Sequence, residues 1–455
     1  MAVVYEGQTV SWAELWREVQ ASSRFFSAEL GYREQKIVSL LMTNSIEFVI
    51  TYLAVVHAGH IVLPIDPVYK KLEIDAILDN ILPAMLIVHQ TYAEQVGPHD
   101  FPILYYDKLS LQKKQESKIL RMEAAKQIAS ITFTSGTSGN PKAVPNTHFN
   151  HIWNIKVCSK AWDWTAEDTL LITLPLSHWY GIVMGLSGCM YHGNTLYLKQ
   201  QSFDTTAILE ELQSGRISLF THAPVAYMKM LEVEGDYDLS KVRLFISGSA
   251  PFPPKLWQDF KNRFKVEVLE TYGSSETGRI AANTIKQCML GSPGKVLPEV
   301  DLRLSHENEV LIKSGGVCPG YWNNPQATKQ SMTLEGYWRT GDIGELKQEY
   351  LFLKGRVQER IRKFGYTISP RDVEWALLEN PTVKEVFVLG RQRPDQPNDE
   401  IYFFVSGATI QEDLINYCKA NLPFSWRPDK IIFVKAIPRT RNGKPNVAKL
   451  KAMAD

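Results

Sequence analysis

The sequence predicts an α/β protein built in two parts. The larger is an N-terminal domain of layered α/β subdomains that ends in a small β-rich subdomain; the smaller is an α+β C-terminal domain. Three observations carry this expectation. Short apolar runs alternate with helical stretches through the first half of the chain, the pattern of strands and crossovers in largely parallel sheets. At 455 residues the chain exceeds what a single core comfortably holds. Its texture also changes twice, near Asp301 and again after Gly355.

The elements follow in order. Residues 9–30 place Trp12, Leu15, Val19 and Phe25/Phe26 at helical spacing. Residues 36–41 (KIVSLL) read as a buried strand. The most apolar stretch, FVITYLAVVHA at 48–58, is too short to cross a bilayer and runs into Gly59. It reads as a core helix over 45–59 closed by that glycine. A strand at 60–64, a helix at 72–80 and a strand at 85–88 continue the alternation. Further strands fall at 170–174, 195–198, 219–221 and 244–247, with helices between them, including 148–161 and 253–264. From Asp301 the run DLRLSHENEVLIKSG reads as short strands and turns. Gly341-Asp342 reads as a turn before the strand EYLFLKG. The domain boundary is placed after Gly355, dividing the chain into 1–355 and 356–455. The second part reads as a helix (370–378), two strands (385–389, 401–405), a helix (411–420) and a strand (431–434).

Composition excludes several classes of function. A hydrophobic share of 44% and a charged share of 22% are ordinary for a globular protein. The net charge of +1, from 50 basic and 49 acidic residues, offers nothing to nucleic acid or an anionic membrane surface. The five cysteines form no metal spacing and no disulfide framework, so a reducing, cytoplasmic setting is expected. MAVVYEGQTVSW lacks the basic start and apolar core of a signal peptide. No integral membrane segment is expected; peripheral contact stays open.

Chemistry concentrates first in ITFTSGTSGNPKAV, residues 131–144. A β-branched, aromatic strand leads into Thr134, Ser135, Gly136, Thr137, Ser138, Gly139 and, after Asn-Pro, Lys142. Glycines allow close backbone approach, and hydroxyls and amide N–H groups can wrap an anion beside the lysine charge. This is not a Walker A loop, because Pro141 precedes the lysine and Ala143 follows it. Taken alone it is equally a polar surface loop. Four further motifs follow: ETYGSSETG (270–278), YWRTGD (337–342), GRVQERIRKFGYTISP (355–370) and PRTRNGKPN (438–446). PLSHWYG (175–181) and SGSAPFP (247–253) are softer signals. Each alone reads as an ordinary polar turn or a solvated basic face.

Together, in this order and from YEGQTVSWAEL to Lys444, they resemble the motifs of the adenylate-forming superfamily: acyl- and aryl-CoA synthetases, peptide-synthetase adenylation domains and luciferases. TSGTSGNPK is similar to its signature phosphate loop, with Ala143 where the family has Gly. The resemblance implies that Thr134 to Gly139 and Lys142 grip the β/γ-phosphates of ATP, less tightly for the alanine. In the second motif it implies an aromatic residue, Tyr272, against adenine, flanked by Thr271, Gly273 and Ser274. Ser275 stands in the place of the family's phosphate-contacting Thr, and Glu276 on Mg²⁺. A hard carboxylate suits that ion, which shares its sites with substrate phosphates. Asp342 is implied to bind ribose and Arg356 ribose and phosphate. Gln358 falls at the hinge, where the family has Asp or Lys, and Gly365 beside the path of pantetheine. Lys444 matches the catalytic lysine of a mobile C-terminal domain.

By the same resemblance, Ser249, Ala250 and Pro251 line adenine. His178, Trp179, Ser249, Gly273 and Arg279 border the acyl group, with His178 also in a catalytic role. Arg279 has two readings: a partner for the second carboxylate of a dicarboxylic acid, or a solvated surface residue, as arginines usually are. The second is favoured here.

The implied function is ATP-dependent activation of a carboxylic acid, fatty or other, to an acyl-adenylate with release of pyrophosphate, then transfer to the thiol of CoA. The implied cofactors are ATP, Mg²⁺ and CoA. One alternative is loading of a fatty or amino acid onto the phosphopantetheine of an acyl carrier protein. The amino-acid form lacks its usual acidic anchor, since Asp163 lies too early. Another alternative is a non-catalytic nucleotide-binding protein with decayed motifs.

Overall fold

The computed structural model describes residues 1–106, 124–134, 142–199, 204–392, 398–440 and 443–454. Among them the large domain carries two sheets. In one, six strands run in the order Ile103–Tyr105, Met85–Val88, Ile37–Leu41, Ile61–Ile65, Ile128–Thr134, Lys142–Thr147. All neighbours are parallel except the last pair, which is antiparallel and sets Thr134 opposite Lys142.

The second sheet starts from the antiparallel edge strand Gln8–Val10 and runs on as a parallel array, Val3–Tyr5, Thr195–Leu198, Thr169–Ile172, Leu219–His222, Leu244–Ser247, Val268–Ser274. It then continues without a break into antiparallel strands: Gly278–Ala282, Lys295–Val296, Tyr350–Arg356, Trp338–Lys347, Glu309–Lys313 and Asp301–Leu304. The β-rich subdomain is thus the far half of this sheet rather than a separate layer.

Local sequence explains the helices between the sheets. Ser11 opens Trp12–Leu30 with a capping box to Glu14, and Ser45 caps Ile46–His57 by accepting from the Phe48 amide. The latter helix buries Ile46, Phe48, Val49, Ile50, Tyr52, Ala54 and Val55 in the core between the sheets. It ends where Gly59 takes φ 84°. No described helix is long and apolar enough to cross a membrane.

The segment after PLSHWY was not anticipated as structured. It is a π-helical turn, Gly181–Ser187, running into the helix Gly188–His192. A Cβ on Gly181 would strike the Pro175 carbonyl oxygen at 2.3 Å, and one on Gly188 the Trp164 ring at 2.5 Å. Only glycine lets this segment pack so closely, and that packing fixes Trp179 and Tyr180. π-Turns of this kind recur at functional sites.

Three local expectations need correction. Gly341-Asp342 does not form a turn before a strand. Both lie inside the strand Trp338–Lys347, with Gly341 at φ 72° and the pairing register shifting nearby. Tyr272-Gly273 likewise belongs to the strand Val268–Ser274, with a bulge at that point, and the chain reverses over Ser275–Thr277. Residues 361–368, read singly as part of a solvated basic face, form a small hairpin, Ile361–Lys363 with Tyr366–Ile368. In each case glycine marks a bulged or tightly turned strand.

Residues 361–454 hold two apolar clusters of their own, around Ile361, Val373, Phe403 and Leu414 and around Tyr402, Phe404, Ile437 and Leu450. Lys384 pairs with Glu232 at 2.9 Å and Arg360 with Glu307 at 3.3 Å, bridging to the rest of the chain.

Ala143 proves to be a core residue. It is 6% exposed, packs in the cluster holding Ile65 and Ile131, and its carbonyl accepts from the Trp322 amide at 2.9 Å. A methyl group there fills the core instead of loosening a phosphate loop. Ala143→Gly should lower stability by about 1–2 kcal/mol through lost burial and added chain freedom. The KM for ATP should stay unchanged. A denaturant titration beside a KM measurement checks both halves.

Candidate functional site

The site gathers where the two sheets meet residues 438–440 and 443–446. The hairpin of Trp338–Lys347 and Tyr350–Arg356 places Asp342 and Arg356 as direct cross-strand partners. Arg356 Nε lies 3.2 Å from Asp342 Oδ1, and the Tyr272 hydroxyl donates to Asp342 Oδ2 at 2.6 Å. Burial, then Asp342, pushes the Tyr272 phenol well up, so it stays a donor. Asp342 in turn raises Arg356.

Glu276 stands at the reversal between the strands Val268–Ser274 and Gly278–Ala282. Its amide donates to Ser274 Oγ at 3.2 Å, and its carbonyl accepts from the Cys318 amide at 2.8 Å, which fixes the backbone. Its carboxylate accepts from the Tyr321 hydroxyl at 3.3 Å. Lys142 Nζ lies over the same tyrosine ring, 4.5 Å from its centre. Tyr321 therefore ties the C-terminal end of the phosphate motif to Glu276. Sequence reasoning missed it, and nothing local in PGYWNN signals the contact.

Lys444 arrives from the other domain on a tight turn. The Thr440 amide donates to the Lys444 carbonyl at 2.7 Å, and Arg439 donates to the Gly443 carbonyl at 2.9 Å. Gly443 takes φ 77°, and a Cβ there would meet Val225 Cγ1 at 2.7 Å, so the turn sits directly on the large domain. Burial and the Arg356 charge lower the Lys444 pKa, while Glu276 and Asp342 act to raise it. These four charged groups thus share one space.

His178 belongs to the same neighbourhood. Burial, and then the Lys444 charge, hold its imidazole down to about 4. Its Nδ1 accepts from the Tyr180 amide at 3.3 Å. Trp179 and Tyr180 are buried behind it.

Other predicted positions are placed less uniformly. Thr134 and Lys142 are described; Ser135, Gly136, Thr137, Ser138 and Gly139 lie outside the described residues. The Thr271 side chain is spent inside the sheet, donating to the Ala281 carbonyl at 2.9 Å, so it does not face a ligand. Ser275 is buried, with its carbonyl accepting from Asn146. Gly273 lies opposite Arg279 in register. Ser249 takes a left-handed φ of 70°, followed by half-buried Ala250 and Pro251. Gln358 lies exposed on the turn Val357–Glu359. Gly365 is not brought to the cluster: it tips an exposed hairpin where Phe364 stacks on Phe424 at 5.4 Å.

Arg279 overturns its favoured reading. It is 2% exposed, among the largest fully buried side chains, and stacks on Tyr180. Burial came from helix and strand neighbours distant in sequence, which no local pattern announced.

The His178 shift has a testable sign. The unfolded imidazole titrates near its ordinary value of about 6.5, so the unfolded chain takes up this proton first. Its contribution to stability is complete above that pH and is lost as pH falls from there toward 4. NMR titration should show His178 neutral down to about pH 5, in contrast to an ordinary exposed histidine.

Comparison with known proteins gives these residues a context. Residues 1–322 match the family described as AMP-binding enzyme, and residues 372–444 match the AMP-binding enzyme C-terminal domain. The chain is 29% identical to the 2-succinylbenzoate–CoA ligase of Listeria monocytogenes, across 99% of this chain and 96% of that protein. It is 25% identical to the mitochondrial malonate–CoA ligase of Mus musculus, across 95% and 84%. In fold it is similar to ATP-bound MatB from Rhodopseudomonas palustris, with a TM-score of 0.91, 24% identity and coverage of 99% and 95%. The o-succinylbenzoate CoA synthetase of Bacillus subtilis, solved with its acyl-adenylate intermediate, gives a TM-score of 0.86 at 24% identity and coverage of 99% and 95%. With a family match across well over half its length, the chain belongs to the AMP-binding enzymes of the adenylate-forming superfamily.

Proposed function

We propose that the protein is an AMP-forming acid–thiol ligase that activates a carboxylic acid with ATP and passes the acyl group to CoA. One observation carries this reading. A lysine of the C-terminal domain is held, half-buried, in a space shared with Glu276, Asp342 and Arg356 and beside His178. The curated relatives named above are CoA ligases, which supports CoA as the thiol acceptor.

In the first step a carboxylate oxygen attacks the α-phosphorus of ATP. The bond from that phosphorus to the bridging oxygen breaks, and pyrophosphate leaves. Lys444 lies between the anionic partners and offsets the charge that develops, in a site partly closed to water where such stabilisation is strongest. Thr134 and Lys142 hold the pyrophosphate end. Asp342, oriented by Tyr272 and Arg356, takes the ribose hydroxyls. Glu276 is the residue that would hold magnesium: among the described residues its carboxylate accepts a hydrogen bond from the Tyr321 hydroxyl alone, and one carboxylate with substrate phosphates is the usual set for that ion. When bound, the ion offsets phosphate charge. His178, neutral at pH 7, borders the acid without repelling Lys444.

In the second step the thiol sulfur attacks the acyl carbon and AMP departs with the electron pair of the broken C–O bond. For this, the C-terminal domain turns about Gln358, leaving Arg356 beside Asp342, and brings Gly365 to the site in place of Lys444. The exposed, unencumbered tip on which Gly365 now sits supports such a role, since a Cβ there would meet nothing within 4 Å.

Lys444→Ala should reduce ATP–pyrophosphate exchange by about 100-fold or more, as loss of a charge-stabilising donor does. Thiolysis of a preformed acyl-adenylate should survive. Retained exchange would refute the assignment. Gly365→Trp should do the reverse, sparing exchange and abolishing thioester formation; equal loss of both would refute the rotation.

A further inference from the structure

A buried cation without an anion stands on the acyl side of this site. Arg279 lies on the strand Gly278–Ala282 and is 2% exposed. Its guanidinium carbon sits 4.4 Å from the centre of the Tyr180 ring and 5.6 Å from that of Trp179. Nε and Nη2 of Arg279 have no hydrogen-bond partner, and neither does the buried indole nitrogen of Trp179. Among the described residues no carboxylate pairs with the guanidinium. The guanidinium hydrogen-bonds the Cys158 thiol, pushed up to about 11 by burial against the opposing pull of Arg279, and the Tyr180 hydroxyl. Tyr180 Oη is itself engaged with Thr221 Oγ1 at 2.5 Å.

A guanidinium cannot shed its proton at any relevant pH. Leaving one buried and unpaired is costly, and aromatic stacking recovers only a fraction. Such a group persists where something outside the fold completes it. Two glycines let backbone pack directly against this guanidinium and its strand. A Cβ on Gly248 would come within 3.1 Å of Tyr180 Oη and 3.4 Å of Arg279 Nη1, and one on Gly273 would strike the Gly278 carbonyl at 2.2 Å. Gly248 immediately precedes Ser249 and Ala250, and Trp179 immediately follows His178, which feels the Lys444 charge. On the acid–thiol ligase reading, the three free donors thus adjoin in sequence the residues assigned to the acyl group.

We propose that Arg279, with the Trp179 indole N–H, receives a second carboxylate of the substrate, so that the acid activated is a dicarboxylic acid. This rests on the acid–thiol ligase reading. Both Arg279 and Trp179 act as specificity determinants: neither touches the carboxylate that reacts, and their donors fit a planar anion.

The test is pyrophosphate release with ATP and CoA, using mono- and dicarboxylic acids paired by chain length from propionate and malonate up to octanoate and suberate. The best dicarboxylate should exceed its monocarboxylate counterpart in kcat/KM by about 100-fold or more, as expected of a site with buried donors to fill. Arg279→Leu and Arg279→Gln should each lose most of that advantage, with kcat/KM toward the dicarboxylate falling at least ten times further than kcat/KM toward the monocarboxylate. Arg279→Lys should fall between. Thermal midpoints with and without the dicarboxylate, in the presence of ATP, add a readout free of turnover: the ligand-induced rise should vanish in Arg279→Gln. A preference for monocarboxylates in the wild type, or an equal loss toward both acids in the variants, would overturn the proposal and make Arg279 a structural residue. If no acid releases pyrophosphate, the ligase reading falls instead, and the thermal readout still decides whether Arg279 binds a dicarboxylate.

Discussion

An ammonium group has to stay charged in a place from which most water has been removed. Burial and the neighbouring Arg356 both favour losing the proton from Lys444; Glu276 and Asp342 favour keeping it. Much of the architecture can be understood as the means of assembling that quartet from distant segments. The bulged hairpin supplies Asp342 and Arg356 side by side, and the reversal after Ser274 supplies Glu276. A glycine turn seated on Val225 brings the lysine. Remove one carboxylate and one of the two charges that favour the protonated amine is lost.

The acyl side obeys a different rule. On the reading proposed above, the described residues there pack one guanidinium, that of Arg279, with glycine backbone and large aromatic rings. The π-turn Gly181–Ser187 presses close to Pro175, and Trp179 and Tyr180 are held as its consequence. His178 stands at the border between the two regions. Its low affinity for protons keeps the border neutral, so the electrostatics of phosphate transfer and of acid selection remain separate.

Much of this was legible in the sequence, and the reasons are specific. The strands Met85–Val88, Thr195–Leu198 and Leu244–Ser247 and the helix Pro370–Leu378 fall where apolar periodicity places them, because buried parallel strands and capped amphipathic helices leave strong local signals. Gly341-Asp342 and Tyr272-Gly273 were misread as turns because a glycine bulge and a glycine turn look alike without the partner strand. The large sheet's continuity from parallel to antiparallel was invisible for the same reason. Arg279 and Tyr321 depended wholly on tertiary neighbours: aromatic rings and a carboxylate far away in sequence decide their roles. Ala143 looked like a defect in a binding loop and is a packed core methyl.

The contacts that join residues 356–455 to the rest have a further consequence. Two of the ties are ion pairs with at least one partner in open solvent: Lys384 with Glu232, and Arg360 with Glu307. Exposed pairs of this kind contribute little, roughly 0–1 kcal/mol each. On the reading proposed above, the two orientations of the small domain then differ by an amount that a bound nucleotide or thiol can supply. The succession of the two half-reactions is then set by which ligand occupies the cleft, with no separate signal needed, because each reactant stabilises the orientation that consumes it.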